Sequence, residues 1–256
     1  MSQSVAILGS GNMAFQLLTA FDKVGVPLAG LISRDLGQGA ETLEKTKAKC
    51  ELVGGRNLTD LEADVIILAV PDDAIQEVQR FYQFNTNHLL VHTSGAEPMS
   101  SLKSTKAGVF YPLQTFTWGV PVDFRTIPIL VEGSSPDIAQ QLTQLAHTIS
   151  SDVRTLSSAE RLRLHVAAVM VSNFTNHLFH RAEKWLNEQN LPFDVLRPLI
   201  EETWNKAKRM PLAQAQTGPA VRGDQRTLER HQEVITDDDA LREIYRLISQ
   251  DIKRLS

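Results

Sequence analysis

The sequence predicts an α/β fold, a Rossmann-type doubly wound parallel sheet followed by an all-α C-terminal domain. Three observations carry this prediction. Short apolar runs alternate with amphipathic stretches in the first part of the chain, a Gly-x-Gly-x-x-Ala motif follows the first run, and long helical periodicities occupy the remainder. Alternating strands and helices are typical of a parallel sheet covered on both faces.

The predicted strands are short runs rich in Val, Ile and Leu. They span 5–8, 28–32, 65–70, 89–91 and 127–131, with a further short strand around 108–110. Helices are predicted from 159 to about 189 and from 193 to about 215, with shorter ones at 227–231 and 238–255. We therefore expect a dinucleotide-binding domain over 1–152 and a helical substrate and dimerisation domain over 153–256.

Composition sets the broad class. The 256 residues are 42% hydrophobic and 22% charged with a net charge of -4, which fits a globular chain and gives no basic surface for nucleic acid. The single cysteine, Cys50, has no Cys or His neighbours at metal-ligand spacing, so we predict no metal site and a reducing compartment. The chain opens directly on a strand pattern, and no apolar run reaches the ~20 residues that span a bilayer. These features predict a cytoplasmic protein without membrane association.

The strongest chemical signal is the glycine motif between the first strand and the first helix. Gly9 permits the tight turn, Gly11 lets the backbone approach a pyrophosphate, and Ala14 allows close packing of helix on sheet. The phosphates would lie at the helix N-terminus, where free N–H groups favour an anion. The alternative is a glycine turn without a ligand. The predicted cofactor-binding residues of this loop are Gly9, Ser10, Gly11, Asn12, Met13 and Ala14.

The residue at the end of the second strand discriminates between NAD and NADP, because an NAD site carries an acid there that binds the ribose. This position holds Ser33, and Arg34 follows. A hydroxyl and a guanidinium suit a 2′-phosphate, so we predict NADP(H). In the alternative, Arg34 is a solvated surface residue and Asp35 points back at the ribose.

Two further loops follow strands at the same predicted edge. Val70 and Pro71 are expected to pack on the cofactor, and the acids at 72 and 73 to begin a helix rather than act as a catalytic pair. His92, Thr93 and Ser94 would lie near the nicotinamide. His92 is a candidate proton donor, although it could equally be part of the scaffold, with Ser94 capping the next helix.

Several motifs together resemble one family. They are the glycine motif, 92–95 (His-Thr-Ser-Gly), 111–116 (Tyr-Pro-Leu-Gln-Thr-Phe), the helix around 164–174 and the loop 217–224. The chain is similar over nearly its whole length to bacterial Rossmann-like NADP oxidoreductases with an uncharacterised helical C-terminal domain. More distantly it resembles pyrroline-5-carboxylate reductase, deazaflavin-dependent NADP reductase and the β-hydroxyacid dehydrogenases. The resemblance implies the fold and NADP(H), but no particular substrate.

The wider resemblance indicates where to look for catalytic groups. β-Hydroxyacid dehydrogenases carry a Lys and, one turn later, an Asn on the first long helix of the second domain. Here Asn173 is present, but Val169 stands in place of the Lys. His165 precedes Asn173 by about two α-helical turns, so both could face one cleft. We predict His165 as general acid with Asn173 orienting a carbonyl or imine; the alternative is a hydrogen-bonded structural pair.

Substrate contacts are predicted from the polar loop 217–224 and the tyrosine motif. Arg222 could bind a carboxylate and His231 could face the same cleft, or Arg222 could serve only packing and capping. Tyr111 and Gln114 could form another wall, although Tyr111 could be a core residue. Apolar stripes on the long helices belong to the core by default, but related reductases dimerise through these helices, so the resemblance implies a homodimer.

The combined hypothesis is an NADPH-dependent reductase of a small carbonyl or imine, with hydride transfer in an interdomain cleft. Two other functions remain open. One is a non-catalytic dinucleotide-binding or sensing protein, since the expected lysine is missing. The other is a reductase that passes hydride to a deazaflavin or flavin.

Overall fold

The structure is a computed structural model that describes residues 3–255. The chain divides into two compact units, Met1–Ser172 and Asn173–Ser256. The predicted boundary at 152 separates functional domains and stays a prediction. The compact units divide further along the chain, because residues up to His165 still contact the sheet. Within residues 3–255, no helix is both long and apolar enough to cross a bilayer.

The first unit is built on an eight-stranded sheet with the order β3-β2-β1-β4-β5-β6-β7-β8. The β6–β7 pair is antiparallel and every other pair is parallel. This arrangement confirms the predicted Rossmann-type fold. The strands are β1 (Val5–Leu8), β2 (Leu28–Ile32), β3 (Leu52–Val53), β4 (Val65–Leu68), β5 (Leu89–His92), β6 (Ala107–Pro112), β7 (Ile129–Gly133) and β8 (Val153–Thr155).

Helices cover both faces of this sheet, and β1 shows the consequence for sequence. Val5 and Ile7 belong to one buried apolar cluster, whereas Ala6 and Leu8 belong to the other. Because both faces are buried, the strand reads as a continuous apolar run instead of an alternating one. The helices of this unit are α1 (Asn12–Lys23), α2 (Leu36–Thr46), α3 (Ile75–Phe81), α4 (Pro136–His147) and α5 (Ser158–Val169).

The second unit is helical, as predicted. The long helix expected from 159 to 189 is present, but a π-helical turn, Met170–Phe174, separates α5 from the next helix. The helices are α6 (Thr175–Glu188), α7 (Arg197–Arg209), α8 (Leu212–Ala215), α9 (Gln225–Val234) and α10 (Asp239–Leu255). Among the described residues of this unit, the buried apolar side chains are Ala220, Leu228 and Ile235.

Candidate active site

The glycine loop has the geometry that a bound pyrophosphate requires. Gly9 has φ +122°, and a Cβ there would lie 2.3 Å from the Ala69 carbonyl oxygen, so the position admits only glycine. A Cβ on Gly11 would meet nothing within 4 Å, which leaves its face open to a ligand. Helix α1 begins at Asn12, and the N–H groups of its first turn have no helical partner. The loop therefore fits a phosphate at a helix N-terminus.

The side chains of this loop are used to hold it in place. Asn12 Nδ2 donates to the Phe116 carbonyl at 2.9 Å. Met13 packs against the apolar core, and Ala14 is fully buried under the first turn. The Ser10 and Ser33 hydroxyl oxygens lie 3.2 Å apart. Backbone N–H groups, more than these side chains, are thus left for phosphate.

A cavity of about 200 Å³ opens beside the glycine loop, at the ends of β1, β2 and β4. Its position at the carboxyl ends of parallel strands is where open α/β sheets bind ligands. The buried Tyr82 hydroxyl has no hydrogen-bond partner within residues 3–255, so a ligand atom could complete its bonding. The lining includes Ser33, Arg34, Val70, Pro71 and Tyr82.

The residues after β2 bear on the choice between NADP and its alternative. Asp35 lines the cavity and caps α2, with its Oδ1 accepting from the Gln38 N–H at 3.0 Å, so one of its carboxylate oxygens is already engaged. The buried Ser33 hydroxyl donates to the Asp35 carbonyl at 2.7 Å, so its proton is also engaged. Arg34 is exposed and pairs with Glu77. Of the two predicted phosphate ligands, Arg34 is therefore the available donor.

The loop after β5 is mostly scaffold. His92 is fully buried, and its Nδ1 accepts from the Ser94 N–H at 3.1 Å. Burial, with a smaller contribution from the Arg161 charge, lowers the pKa of His92 to about 4, so the ring is neutral near pH 7. The Ser94 hydroxyl accepts from the N–H groups of Ala96 and Glu97, and Thr93 donates weakly to Leu68 O at 3.4 Å. These contacts favour the scaffold alternative for His92 and Ser94.

Tyr111 and His165 form a hydrogen-bonded pair. The Tyr111 hydroxyl, at the carboxyl end of β6, lies 3.0 Å from His165 Nδ1 on α5, and the two rings meet edge to face. Gly95 makes room for them, because a Cβ there would lie 2.5 Å from His165 Nδ1. Burial and the nearby Asp72 carboxylate raise the pKa of Tyr111, so it keeps its proton at neutral pH. The pair can therefore hold and pass a proton.

A buried ion pair anchors α5 beside this dyad. Arg161 is 1% exposed and binds Glu132 on β7, and a second guanidinium nitrogen donates to the Glu97 carbonyl. Ser158 also donates to Glu132, at 2.7 Å. Because Arg161 precedes His165 by about one helical turn, this anchor fixes the part of α5 that carries the imidazole.

Of the other predicted residues, Gln114 belongs to the first unit, and Asn173, Arg222 and His231 belong to the second. Gln114 is exposed, and its Oε1 accepts from the Thr115 N–H. Asn173 lies in the π-helical turn of the second unit, so the assumption of uninterrupted α periodicity after His165 is wrong. Arg222 is exposed on its loop. His231 Nδ1 lies 2.6 Å from the Tyr245 hydroxyl on α10.

Three residues of the site escaped sequence reasoning. Gly95 stands in the sequence only as part of a motif, Tyr82 follows a short helix without any motif, and Glu77 is one of many surface acids. The signal for Gly95 was its place directly after a polar strand end. The other two carried no sequence signal, since only the fold brings them to the loop after β2.

Two family models match the chain. Residues 4–94 match "NADP oxidoreductase coenzyme F420-dependent", and residues 127–252 match a "domain of unknown function (DUF2520)". No curated protein matches the chain significantly.

Solved structures extend the comparison to the whole chain. A Bacteroides fragilis protein described as a "putative NADP oxidoreductase" is 34% identical, with 99% of this chain and 98% of that one covered and a TM-score of 0.85. A Thermotoga maritima protein is 19% identical over 98% and 97% of the two chains, with a TM-score of 0.74. A reductive aminase from Aspergillus terreus, solved with NADPH, shares the fold at 14% identity over 91% and 78%, with a TM-score of 0.61.

Proposed function

Because the chain belongs to the NADP oxidoreductase family that joins a Rossmann-type domain to the DUF2520 domain, we propose that it is an NADPH-dependent reductase of a small carbonyl or imine. Membership confirms the predicted resemblance and NADP(H) as cofactor. The observation that carries the proposed reaction is the Tyr111–His165 hydrogen bond at the edge of the sheet where the glycine loop also lies.

The order of strands supports a direction for the bound cofactor. Arg34 follows β2, the glycine loop follows β1, and Tyr111 ends β6 on the opposite side of β4 and β5. A dinucleotide with its 2′-phosphate at Arg34 and its pyrophosphate at Gly11 would extend its nicotinamide toward the loop after β5. Tyr111 and His165 are the hydrogen-bonding groups beside that loop.

The chemistry needs one proton at the substrate oxygen or nitrogen. Bound NADPH supplies a hydride to the carbon of the C=O or C=N bond, and the bond's π electrons move to the heteroatom. The Tyr111 hydroxyl gives its proton to that atom, and His165 Nδ1 returns a proton to the phenolate oxygen while its Nε2 takes up a proton from solvent, so the imidazole stays neutral. His165 thus remains the proposed acid, acting through Tyr111, and His92 has a scaffold role. Asn173 stays a prediction for orienting the carbonyl or imine, and Gln114, Arg222 and His231 stay predictions for substrate binding.

The test begins with the cofactor. Calorimetric titration should give micromolar binding of NADPH, weaker binding of NADH, and loss of that preference in Arg34→Ala. Deuterated NADPH should then label the product of a 2-oxo acid, an aldehyde or a cyclic imine. Binding of NADPH without any transfer would favour the sensing alternative, whereas no nucleotide binding would reject both.

A second candidate function is hydride transfer to a deazaflavin. The description of the model matched by residues 4–94 supports this, because it names coenzyme F420. Mixing the enzyme, NADPH and oxidised coenzyme F420 should then bleach the deazaflavin absorbance. Tyr111→Phe should slow this reaction less than carbonyl reduction if the phenol serves mainly the substrate oxygen.

We also propose that the protein forms a homodimer through the second unit. Helices α6, α7 and α10 contain no buried residue within the described chain. Their apolar side chains include Leu199 and Trp204, each 64% exposed, and Leu255, 75% exposed. Exposed apolar side chains in this number are typical of an association site, and a second copy is the partner that closed symmetry supplies.

A further inference from the structure

We propose that Arg56 is a second ligand for the 2′-phosphate of NADP(H), and that Glu77 competes with this phosphate for Arg34. The inference rests on NADP(H) being the cofactor and goes beyond the single arginine predicted from the end of β2. Its basis is that two guanidinium groups lie against the Phe81 ring and that one of them, Arg34, pairs with the Glu77 carboxylate.

Both arginines lie against the same aromatic side chain. The Arg56 guanidinium carbon is 4.1 Å from the Phe81 ring centroid, and the Arg34 guanidinium carbon is 5.8 Å from it. Stacking on an aromatic face holds a guanidinium in place while its N–H groups stay available to an anion. Two cations on one ring, one of which (Arg34) lines the cavity at the ends of β1 and β2, would suit a dianion.

The backbone explains why Arg56 lies there. It follows β3, which pairs in parallel with β2, so both strands deliver their next residues to the same edge of the sheet. The Arg56 carbonyl accepts from the Gln83 N–H, and the Leu58 N–H donates to the Gln83 carbonyl, both at 2.8 Å. These bonds tie the loop to the segment that follows α3, which carries Phe81.

Arg34 and Arg56 differ in their ion pairs with carboxylates, and this difference would allow a phosphate to bind both. Arg34 binds Glu77 at 2.5 Å, with side chains 51% and 60% exposed. A pair this exposed is weak, so a doubly charged phosphate can take its place. Arg56 forms no ion pair with a carboxylate in the part of the chain that is described, and its charge is free for the incoming group.

The buried Tyr82 hydroxyl adds an independent sign of a missing ligand. It lines the same cavity as Arg34 and has no hydrogen-bond partner within residues 3–255. A ligand that carries both a polar sugar or base and a phosphate would satisfy this hydroxyl and the two arginines together.

The experiment compares two nucleotides that differ in the 2′-phosphate. Adenosine 2′,5′-bisphosphate and adenosine 5′-monophosphate are titrated into the full-length protein by calorimetry. We expect Arg56→Ala to weaken the bisphosphate roughly tenfold and to leave the monophosphate unchanged. We expect Glu77→Gln to strengthen the bisphosphate about two- to fivefold, because Arg34 is no longer paired.

Arg80→Ala is the matched control, since it removes an exposed arginine from the same helix as Phe81 without touching the ring. The proposal is overturned if Arg56→Ala weakens the bisphosphate no more than Arg80→Ala, or weakens both nucleotides equally. If the protein transfers no hydride to any substrate, the conclusion about Arg56 still stands, because the titration measures nucleotide binding only. A wild-type protein that binds neither nucleotide rejects the cofactor and this site together.

Discussion

At the scale of single residues, the Tyr111 hydroxyl and the His165 ring have separable tasks. Tyr111→Phe keeps the ring against Gly95 but removes the proton donor, so the rate of hydride transfer to a carbonyl should fall about 10²- to 10³-fold. His165→Ala should cost less, roughly tenfold, because water can return the proton to Tyr111. Single-turnover kinetics with NADPH would measure both rates.

The affinity for NADPH is the control for these variants, since neither side chain lines the cavity that Arg34 lines. An unchanged single-turnover rate in Tyr111→Phe would reject the phenol as proton donor. A fall in rate matched by an equal loss of NADPH affinity would instead indicate a positional role.

His92 makes a prediction about stability and pH. Its pKa is about 4 in the folded chain and near 6.5 when unfolded, so the unfolded state binds the extra proton between these values. The free energy of unfolding should therefore fall as pH drops from about 6.5 to 4, by up to about 3 kcal/mol. Urea denaturation at several pH values measures this slope.

The variant His92→Asn should flatten the slope, because its Oδ1 can still accept from the Ser94 N–H while the titrating ring is gone. His147→Gln, which replaces an exposed histidine of α4, should keep the slope of the wild type. Equal slopes in all three proteins would contradict the buried neutral ring.

At the scale of elements, the Arg161–Glu132 pair determines how α5 lies on the sheet. Arg161→Met leaves the Glu132 charge only 17% exposed and unpaired, so the free energy of unfolding should fall by about 3 kcal/mol. Arg161→Met with Glu132→Leu should recover much of this loss, because no charge remains buried. Chemical denaturation gives both values.

Arg154→Met is the matched control, because it breaks an ion pair with Asp152 that is exposed to solvent and should change stability little. If Arg161→Met proved as mild as Arg154→Met, α5 would be held by its apolar contacts instead.

The elements also show what sequence can and cannot predict. The bounds of β1 and β2 follow directly from continuous apolar runs. The strands β3 and β8 went unpredicted because they have only two and three residues and lie at the sheet edges. Similarly, the fold places the glycine loop and Arg34 together as predicted, but no local pattern could join Tyr111 to His165 on α5, 54 residues later.

At the scale of the whole molecule, the small core of the second unit leads us to expect that it needs a partner for stability. Its described residues bury three apolar side chains, and a small helical domain usually needs a larger core or an oligomer to fold. We therefore expect light scattering after size exclusion to give twice the chain mass of 28.5 kDa. Such a dimer would cover the exposed faces of α7 and α10.

Trp204→Glu tests which surface is used. Placing a carboxylate on the 64% exposed indole position should shift the mass toward 28.5 kDa at micromolar concentration, because a charge buried in an apolar interface has no partner. Val24→Glu, which alters an exposed apolar residue at the end of α1 in the first unit, should leave the dimer intact. A wild-type mass of 28.5 kDa across a wide concentration range would reject the dimer, and dissociation by Val24→Glu alone would move the interface to the first unit.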